Sequence, residues 1–509
     1  MNSLQQEQTI AVIGAGTMGA GIAQVAAQAG HTVKLFDVQA GAAGKGRDGI
    51  DSQLAGRVAK GKIDEADKAA VIGRIAVATD LSELSDAALV IEAIVEDLAV
   101  KQALFADLED ICGEATILAT NTSSLSVTRI ASSLSRPQQF VGLHFFNPAP
   151  VMKLVEVVPG LATDPDVAEC AFNTMTAWAK KPVMARNTPG FIVNRVARPF
   201  YAETLNLLEQ QACNAVTADA LMRECGGFRM GACQLTDLIG QDVNYKVTRT
   251  VFAAFDSDPR FRPSLVQQEL VDAGHLGRKS GRGFYEYDSD AVSEEPSIIP
   301  PGPAPAALEI ETRGMLLPLA ERLEKAGISV SRREGSAETI LGDGVHLALS
   351  DGRLATERAA EEAADNLVLF DLALDYASCL RIAIAPADPV GDDAIQTAAA
   401  VFQAAGMQVS QLDDVPALLV LRTVAMLANE GASAVNEGIC SAAGVDDAMC
   451  FGVNYPRGPL AWADAVGNGF VLRVLQNLQA VYGDDRYRPS PRLRRMATTG
   501  SLFHAGATA

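Results

Sequence analysis

At 509 residues the chain is too long for one ordinary core, so three or four domains are expected. A hydrophobic fraction of 48% with 20% charged residues describes a globular protein able to bury sizeable cores. The formal charge of −20 argues against nucleic acid or an anionic membrane as the main partner, and an anionic substrate would need a local basic site.

Eight cysteines are scattered without a CxxC pair or a Cys/His cluster, which indicates neither a disulfide framework nor a metal site. Met1 to Gln8 has neither the basic nor the apolar region of a secretory signal. No apolar stretch is long enough to span a bilayer, and the terminal Gly-Ala-Thr-Ala is not a peroxisomal address. A cytoplasmic location is expected.

Thr9 to Ile13 is a β-branched apolar run of the kind that forms a buried parallel strand. It leads into Gly14-Ala15-Gly16-Thr17-Met18-Gly19, then into a small-residue helix ending at Gly30 and a second strand, Thr32 to Phe36, that ends in Asp37. A bare GxGxxG is weak evidence, but here it stands between a strand and a helix, with an acid at the next strand end. Gly14 permits the tight turn, Gly16 lets backbone approach a pyrophosphate, and Gly19 lets the helix pack closely. The helix N-terminus offers unpaired N–H groups to phosphate. Asp37 suits ribose hydroxyls and repels a 2′-phosphate, so NAD is favoured over NADP.

Residues 41–74 read as a helical hairpin rich in Gly, Lys and Arg, including Arg57, Lys60 and Lys62. This basic cluster could meet a phosphate-bearing substrate; a solvated helix face is the alternative. A strand at Ala88 to Ile91 leads to Glu96, and Lys101 opens the helix after it. The strand Thr116 to Ala119 delivers Asn121-Thr122-Ser123-Ser124 at its carboxyl end. Ligands of doubly wound sheets bind outside those ends, so Glu96, Ser123 and His144 should face one crevice.

His144 ends the apolar run Phe140 to Leu143 and begins His144-Phe145-Phe146-Asn147-Pro148; Glu156 lies within Leu154 to Val158. Both fall on strand-like segments. A carboxylate on the far imidazole nitrogen fixes the tautomer and suits a general base. A buried pair that only satisfies itself is the alternative.

These motifs, with Met152-Lys153-Leu154-Val155-Glu156-Val157 and Pro189-Gly190-Phe191-Ile192-Val193-Asn194-Arg195, occur in an order that resembles the L-3-hydroxyacyl-CoA dehydrogenase family over residues 8–287. The longer layout is similar to the bacterial enzymes of phenylacetate catabolism that act on 3-hydroxyadipyl-CoA. Short-chain 3-hydroxybutyryl-CoA enzymes of fatty acid or butanoate metabolism are the alternative. The resemblance implies that His144 is the base, Glu156 its orienting partner, and Ser123 and Asn194 the groups that hold the substrate's 3-oxygen. It implies NAD contacts at Gly14, Gly16, Thr17, Met18, Gly19, Asp37, Glu96, Lys101, Asn147 and Lys279, and CoA-side contacts at Ser123 and Lys60. A family serine beside CoA is Gln53 here, which weakens the carry-over in that hairpin.

From Pro189-Gly190 the texture becomes helical. Phe191 to Gln211 reads as one long helix, kinked where Pro199 frees the carbonyl of Arg195. Asn194 on its first turns could equally be a local hydrogen-bonding residue. Lys279 lies in the basic loop Gly277 to Tyr285, where a solvated lysine is the other reading. A distal substrate carboxylate would need a cation, for which Arg198, Arg229 and Lys246 are candidates.

Pro296 to Pro305 reads as a linker. Residues 307–412 look like a small α/β unit, helical at Gly314 to Ala326 and Ala394 to Ala405, with strands at Glu338 to Leu341 and Leu367 to Phe370. No glycine fingerprint follows its strands, so a reduced Rossmann-like domain without a second dinucleotide is expected. Residues 416–467 repeat 189–240 at an offset of 227: Pro189 matches Pro416, Glu203 Glu430 and Gly240 Gly467, while Asn194 meets Leu421.

The expected architecture is an α/β Rossmann-type domain (1–187), an all-α domain (188–287), a linker (288–306), a reduced α/β insert (307–412) and a second helical copy (413–509). The two helical copies would pair as an internal pseudo-dimer, within a chain that could itself form a homodimer. A lysine-based two-domain hydroxyacid dehydrogenase and a non-enzymatic scaffold are the competing classes. The first would place its lysine on the helical domain, and the second needs no Ser123, His144, Glu156 and Asn194 set.

Overall fold

The computed structural model describes residues 3–288, 294–335 and 337–504; the terminal Gly506 to Ala509 and linker residues 289–293 lie outside them. The chain forms two compact units, Met1–Arg195 with Glu437–Val453, and Val196–Asn436 with Asn454–Ala509.

In the first unit the β-branched runs form one eight-stranded sheet: β1 (Thr9–Ile13), β2 (Val33–Phe36), β3 (Ile75–Val77), β4 (Ala87–Glu92), β5 (Ile117–Thr120), β6 (Phe140–Phe145), β7 (Leu154–Pro159) and β8 (Lys181–Met184). The order is β3-β2-β1-β4-β5-β6-β7-β8. Only the β6–β7 pairing is antiparallel. Ile10, Val12, Leu35, Leu89, Ile91, Val141 and Leu143 are buried against helix residues such as Ile22 and Ala26. Each such aliphatic side chain stabilises the fold by about 1.5–3 kcal/mol. The carboxyl ends of β1, β4, β5 and β6 share one edge, which places Gly14, Glu92, Asn121 and His144 there.

A piece of the second helical repeat completes this unit. The helix Ala442–Gly452 lies against β7 and β8, and a Cβ on Gly452 would come within 2.5 Å of Leu154. Arg195 reaches Glu437 at 2.6 Å and Lys181 reaches Asp447 at 3.3 Å.

The expected long helix is not one kinked rod. A short turn, Val193–Val196, stops at Ala197, and a new helix, Arg198–Glu209, starts with Pro199 in its first turn. Proline lacks the donor that continuation would need, but a helix's first turn leaves its donors unpaired anyway.

The insert also holds more sheet than its sequence pattern suggests. Seven strands, β9 (Ala307–Thr312), β10 (Ser329–Glu334), β11 (Thr339–Gly342), β12 (Val345–Leu349), β13 (Leu367–Phe370), β14 (Arg381–Pro386) and β15 (Gln408–Gln411), run in the order β10-β9-β11-β12-β13-β14-β15. β10 is a polar, mostly exposed edge strand, so it carries no apolar alternation.

The repeat is longer in space than in sequence. β13 pairs with β14 through Val368 opposite Pro386, as β6 pairs with β7 through Val141 opposite Pro159. β14 aligns Arg381 with Gln408 as β7 aligns Leu154 with Lys181. Both registers keep the offset of 227. Asp371 therefore stands at the position of His144, and Ala383 at that of Glu156.

The helical copies meet through reciprocal ion pairs inside the second unit. Glu203 of the first copy holds Arg486 of the second at 3.0 Å, and Arg260 of the first holds Glu430 of the second at 3.0 Å. Arg262 pairs with Asp484 at 3.4 Å, and Arg488 pairs with Asp258.

Candidate active site

The glycine loop forms the floor of a cleft of about 920 Å³ bordered by Gly14, Gly16, Thr17, Asp37 and Pro150. Gly14 has φ +94°, and a Cβ there would lie 2.5 Å from the carbonyl oxygen of Ala93. A Cβ on Gly19 would lie 1.7 Å from the carbonyl oxygen of Gly14, so the loop folds back onto its own helix only because residue 19 is glycine. A Cβ on Gly16 would meet nothing within 4 Å, which leaves an open approach to the backbone. The helix Thr17–Gln28 has no side-chain cap, so its first N–H groups are left for a ligand. Asp37 accepts hydrogen bonds from Ala15 N at 2.7 Å and Gln39 N at 2.9 Å, pinning the loop to β2. Met18 is packed against the core. These residues fit the pyrophosphate and ribose of a dinucleotide.

A buried polar thread runs from the end of β4 to the Ser123 loop. Glu92 is fully buried; its carboxylate accepts from Thr120 Oγ1, Ile94 N and Lys101 Nζ at 2.7, 2.7 and 2.5 Å. Lys101, also buried, reaches Glu96 at 3.3 Å. Glu96 Oε1 accepts from Thr122 Oγ1 at 2.7 Å, Ser123 N at 2.9 Å and Ser124 N at 3.1 Å. Burial pushes the Glu96 carboxyl up, but the Thr122 hydroxyl, the Lys101 ammonium and the loop N–H groups outweigh it and hold the group below its ordinary range. Lys101, expected to face the cofactor, is thus 1% exposed and clamps two carboxylates.

His144 Nδ1 lies 2.5 Å from Glu156 Oε2, across the β6–β7 register in which the two residues are paired. The imidazole packs near the rings of Phe146 and Phe191, at 4.5 and 5.8 Å between centroids. Among the described residues no group bonds Nε2, so this nitrogen is the one available to a ligand. The other oxygen of Glu156 accepts from Ile192 N and Val193 N, both at 2.9 Å. One carboxylate therefore orients the imidazole and holds the turn that carries Asn194. Asn194 Nδ2 in turn donates to the Ser123 carbonyl at 3.2 Å. His144, Glu156, Asn194 and Ser123 are joined by these bonds within one unit. An imidazole with a fixed tautomer, a free second nitrogen and adjacent hydroxyl and amide groups can take a proton from an alcohol and hold the oxygen left behind.

Asn147 is exposed on the loop after β6. Lys60 is exposed at the end of the helix Ala42–Ala59 and does not border the cleft, whereas Gln53 and Lys45 of that helix do. Lys279 belongs to the second unit, where its ammonium rests on Asp242 at 2.5 Å. Arg198, also there, is buried, donates to Thr248 at 3.1 Å and lies over the Tyr201 ring; Arg229 and Lys246 are exposed. Glu92, Thr120 and Lys45 were not singled out from sequence. Glu92 could have been, as an acid inside an otherwise apolar strand.

The sequence profile described as "3-hydroxyacyl-CoA dehydrogenase, NAD binding domain" matches residues 9–188, and that described as "3-hydroxyacyl-CoA dehydrogenase, C-terminal domain" matches 190–287 and again 419–507. A third, "3-hydroxybutyryl-CoA dehydrogenase reduced Rossmann-fold domain", matches 347–416. The chain belongs to the 3-hydroxyacyl-CoA dehydrogenase family. The dehydrogenase is 44% identical to 3-hydroxyadipyl-CoA dehydrogenase of Escherichia coli K12, over 98% of this chain and 99% of that one. It is 41% identical to a probable 3-hydroxybutyryl-CoA dehydrogenase of Bacillus subtilis, over 55% of this chain and 97% of that one. A crystal structure of 3-hydroxybutyryl-CoA dehydrogenase from Escherichia coli K12 superposes with a TM-score of 0.88 at 43% identity, covering 97% of this chain and 99% of that one. The dehydrogenase uses NAD, and among its described residues no helix is long and apolar enough to cross a membrane.

Proposed function

We propose that the dehydrogenase oxidises (S)-3-hydroxyadipyl-CoA to 3-oxoadipyl-CoA in phenylacetate catabolism. The observation that carries this reading is the likeness to the Escherichia coli enzyme of that name, 44% identical across 98% of this chain. Nε2 of His144 takes the proton of the 3-hydroxyl, a role that contributes roughly 10²- to 10⁴-fold. Glu156 holds Nδ1, so the free nitrogen is the acceptor of that proton. Bound NAD supplies the acceptor for the hydride from C3. Ser123 and Asn194 hold the 3-oxygen, each donor contributing about 3 kcal/mol. The Gly14 to Gly19 loop and Asp37 hold the cofactor's phosphates and ribose, and Glu96 and Lys101 set the Ser123 loop beside it. Asn147 and Lys279 are further cofactor contacts in this reading, and Lys60 a CoA contact. The chemistry occurs once per chain, because the second half replaces His144, Glu156 and Asn194 by Asp371, Ala383 and Leu421.

The experiment compares kcat/KM on 3-hydroxyadipyl-CoA with that on 3-hydroxybutyryl-CoA and on an uncharged 3-hydroxyacyl-CoA of adipyl length. A preference of about tenfold or more for the dicarboxylate is expected. A preference for the butyryl substrate would establish the short-chain reading instead, which the 3-hydroxybutyryl name of the superposed Escherichia coli structure favours. We further infer a cytoplasmic protein, all eight of its cysteines being unpaired thiols, with its two helical copies as an internal pseudo-dimer. A light-scattering mass of twice the chain would add the homodimer to that description.

A further inference from the structure

The second unit contains a cavity of about 690 Å³ at the carboxyl ends of β9, β12 and β13. The volume is within the range of small-molecule sites. Its far wall comes from the helices Pro459–Val466 and Asn468–Tyr482 of the second helical copy. In doubly wound sheets this edge is where ligands bind. By the shared register it is the second half's counterpart of the His144 crevice: Leu372 to Tyr376, just after β13, border it, as Phe145 to Ala149 follow His144.

The second half lost the catalytic groups there and acquired cations. Arg313, Arg457 and Arg473 line the cavity and, among the described residues, form no ion pair. Arg353 and Arg358 also line it, already paired with carboxylates. The acids that also line the cavity are engaged locally. Asp351 is bound by Arg353, Glu338 by Thr312 and Arg313 N, and Asp375 by Ala377 N and Ser378 Oγ. Three guanidinium groups without a carboxylate partner, one of them (Arg473) lying over the Phe470 ring, mark a place that attracts anions in a protein of net charge −20. Phe470 and Val466, both partly exposed, add apolar surface to the same wall.

We propose that this cavity is a second ligand site that takes a phosphorylated adenosine, its phosphates on Arg313, Arg457 and Arg473 and its base against Phe470 and Val466. Two sources share that chemistry, coenzyme A and the adenine nucleotides. Because Arg353 and Arg358 connect the cavity to the helix Ala355–Glu362 and to β12, occupancy would stiffen the insert.

The test is calorimetric titration of the full chain, saturated with NADH, with coenzyme A, adenosine 3′,5′-bisphosphate and ADP in turn. Wild type is expected to bind one more equivalent of at least one probe than the R457S/R473S variant does, with NADH binding unchanged as the check on folding. Residual affinity in the variant should be weaker by about tenfold or more. A465W, which fills the cavity from an exposed helix position, is expected to remove the same equivalent. Binding of the bisphosphate but not ADP identifies the coenzyme A source, and equal binding identifies adenine nucleotides; both support the site. Equal stoichiometry and affinity in wild type and both variants overturns it, as does an equivalent displaced by inorganic phosphate alone with no contribution from the adenosine.

Discussion

Glu156 and Asp371 perform the same backbone task in the two halves of the chain, from different strands. Glu156 on β7 accepts Ile192 N and Val193 N, and Asp371 after β13 accepts Leu419 N and Val420 N at 3.0 and 2.7 Å. The N–H pairs correspond at the offset of 227; the acids do not, since Asp371 occupies the position of His144. In the first half the carboxylate has a second oxygen on an imidazole. In the second, with no imidazole present, both oxygens serve the backbone.

His144→Gln should lower turnover by roughly 10²- to 10⁴-fold, because glutamine cannot take the alcohol's proton. NADH binding should survive, since the glycine loop and Asp37 are untouched. Steady-state rates with fluorescence titration of NADH check this, and wild-type turnover would sink the assignment.

Glu156→Gln and Glu156→Ala should separate orientation from anchoring. Both lose the charged partner of His144, so both should be slow. Alanine also leaves two buried N–H groups unpaired, which costs about 1–3 kcal/mol each, whereas glutamine keeps one acceptor oxygen. Chemical denaturation of the two variants measures the difference; equal stabilities would show that the Ile192–Val193 contact contributes nothing.

Lys101→Met should destabilise the first unit by about 3–5 kcal/mol, because it leaves Glu92 buried and without its cation. Adding Glu92→Gln removes the stranded charge, so the double variant should be the more stable of the two. The same pair of proteins tests positioning, through a higher KM caused by a loosened Ser123 loop.

Burial pushes the Asp371 carboxyl up to about 6, although four backbone N–H groups, those of Leu421, Val420, Leu419 and Leu372, pull against it. The folded chain then holds this proton more tightly than the unfolded chain between pH 3.8 and about 6. Its contribution to stability is therefore fullest at the acid end and is lost as pH rises through that window. Glu96 acts with the opposite sign: its group is held below the ordinary 4.5, so the stability it contributes is present above that value and lost as pH falls through its folded value. Thermal melts of Asp371→Asn across pH should lack the decline expected of wild type on approaching pH 6. An unchanged profile would remove Asp371 as its source.

Glu203→Ala strands Arg422 and Arg486, both buried and held at 3.2 and 3.0 Å. A loss of about 3–5 kcal/mol is expected. Replacing Arg486 by methionine as well should recover part of it. A double-mutant cycle by denaturant melts gives the coupling, and additive losses would show the two copies do not depend on this pair.

The glycine loop, Asp37 and the His144 and Glu156 segments could be read from sequence alone because each is local. A β-branched run, a Gly at a turn that forbids a Cβ and an acid at a strand end are set by neighbours along the chain. Pro199 showed that a helix could not continue unbroken, but not that it would restart, since that depends on where the freed donors end up. The burial of Lys101, the membership of Glu437–Val453 in the first unit and the cross-strand pairing that puts Asp371 in place of His144 were decided only by the tertiary structure. Each depends on partners far apart in the chain, whose identities leave no period or spacing to read. The repeat shows the division most plainly. Its helices kept enough identical residues to be seen, while its strands kept only their register, which is a property of hydrogen bonds between backbones and not of the residues they carry.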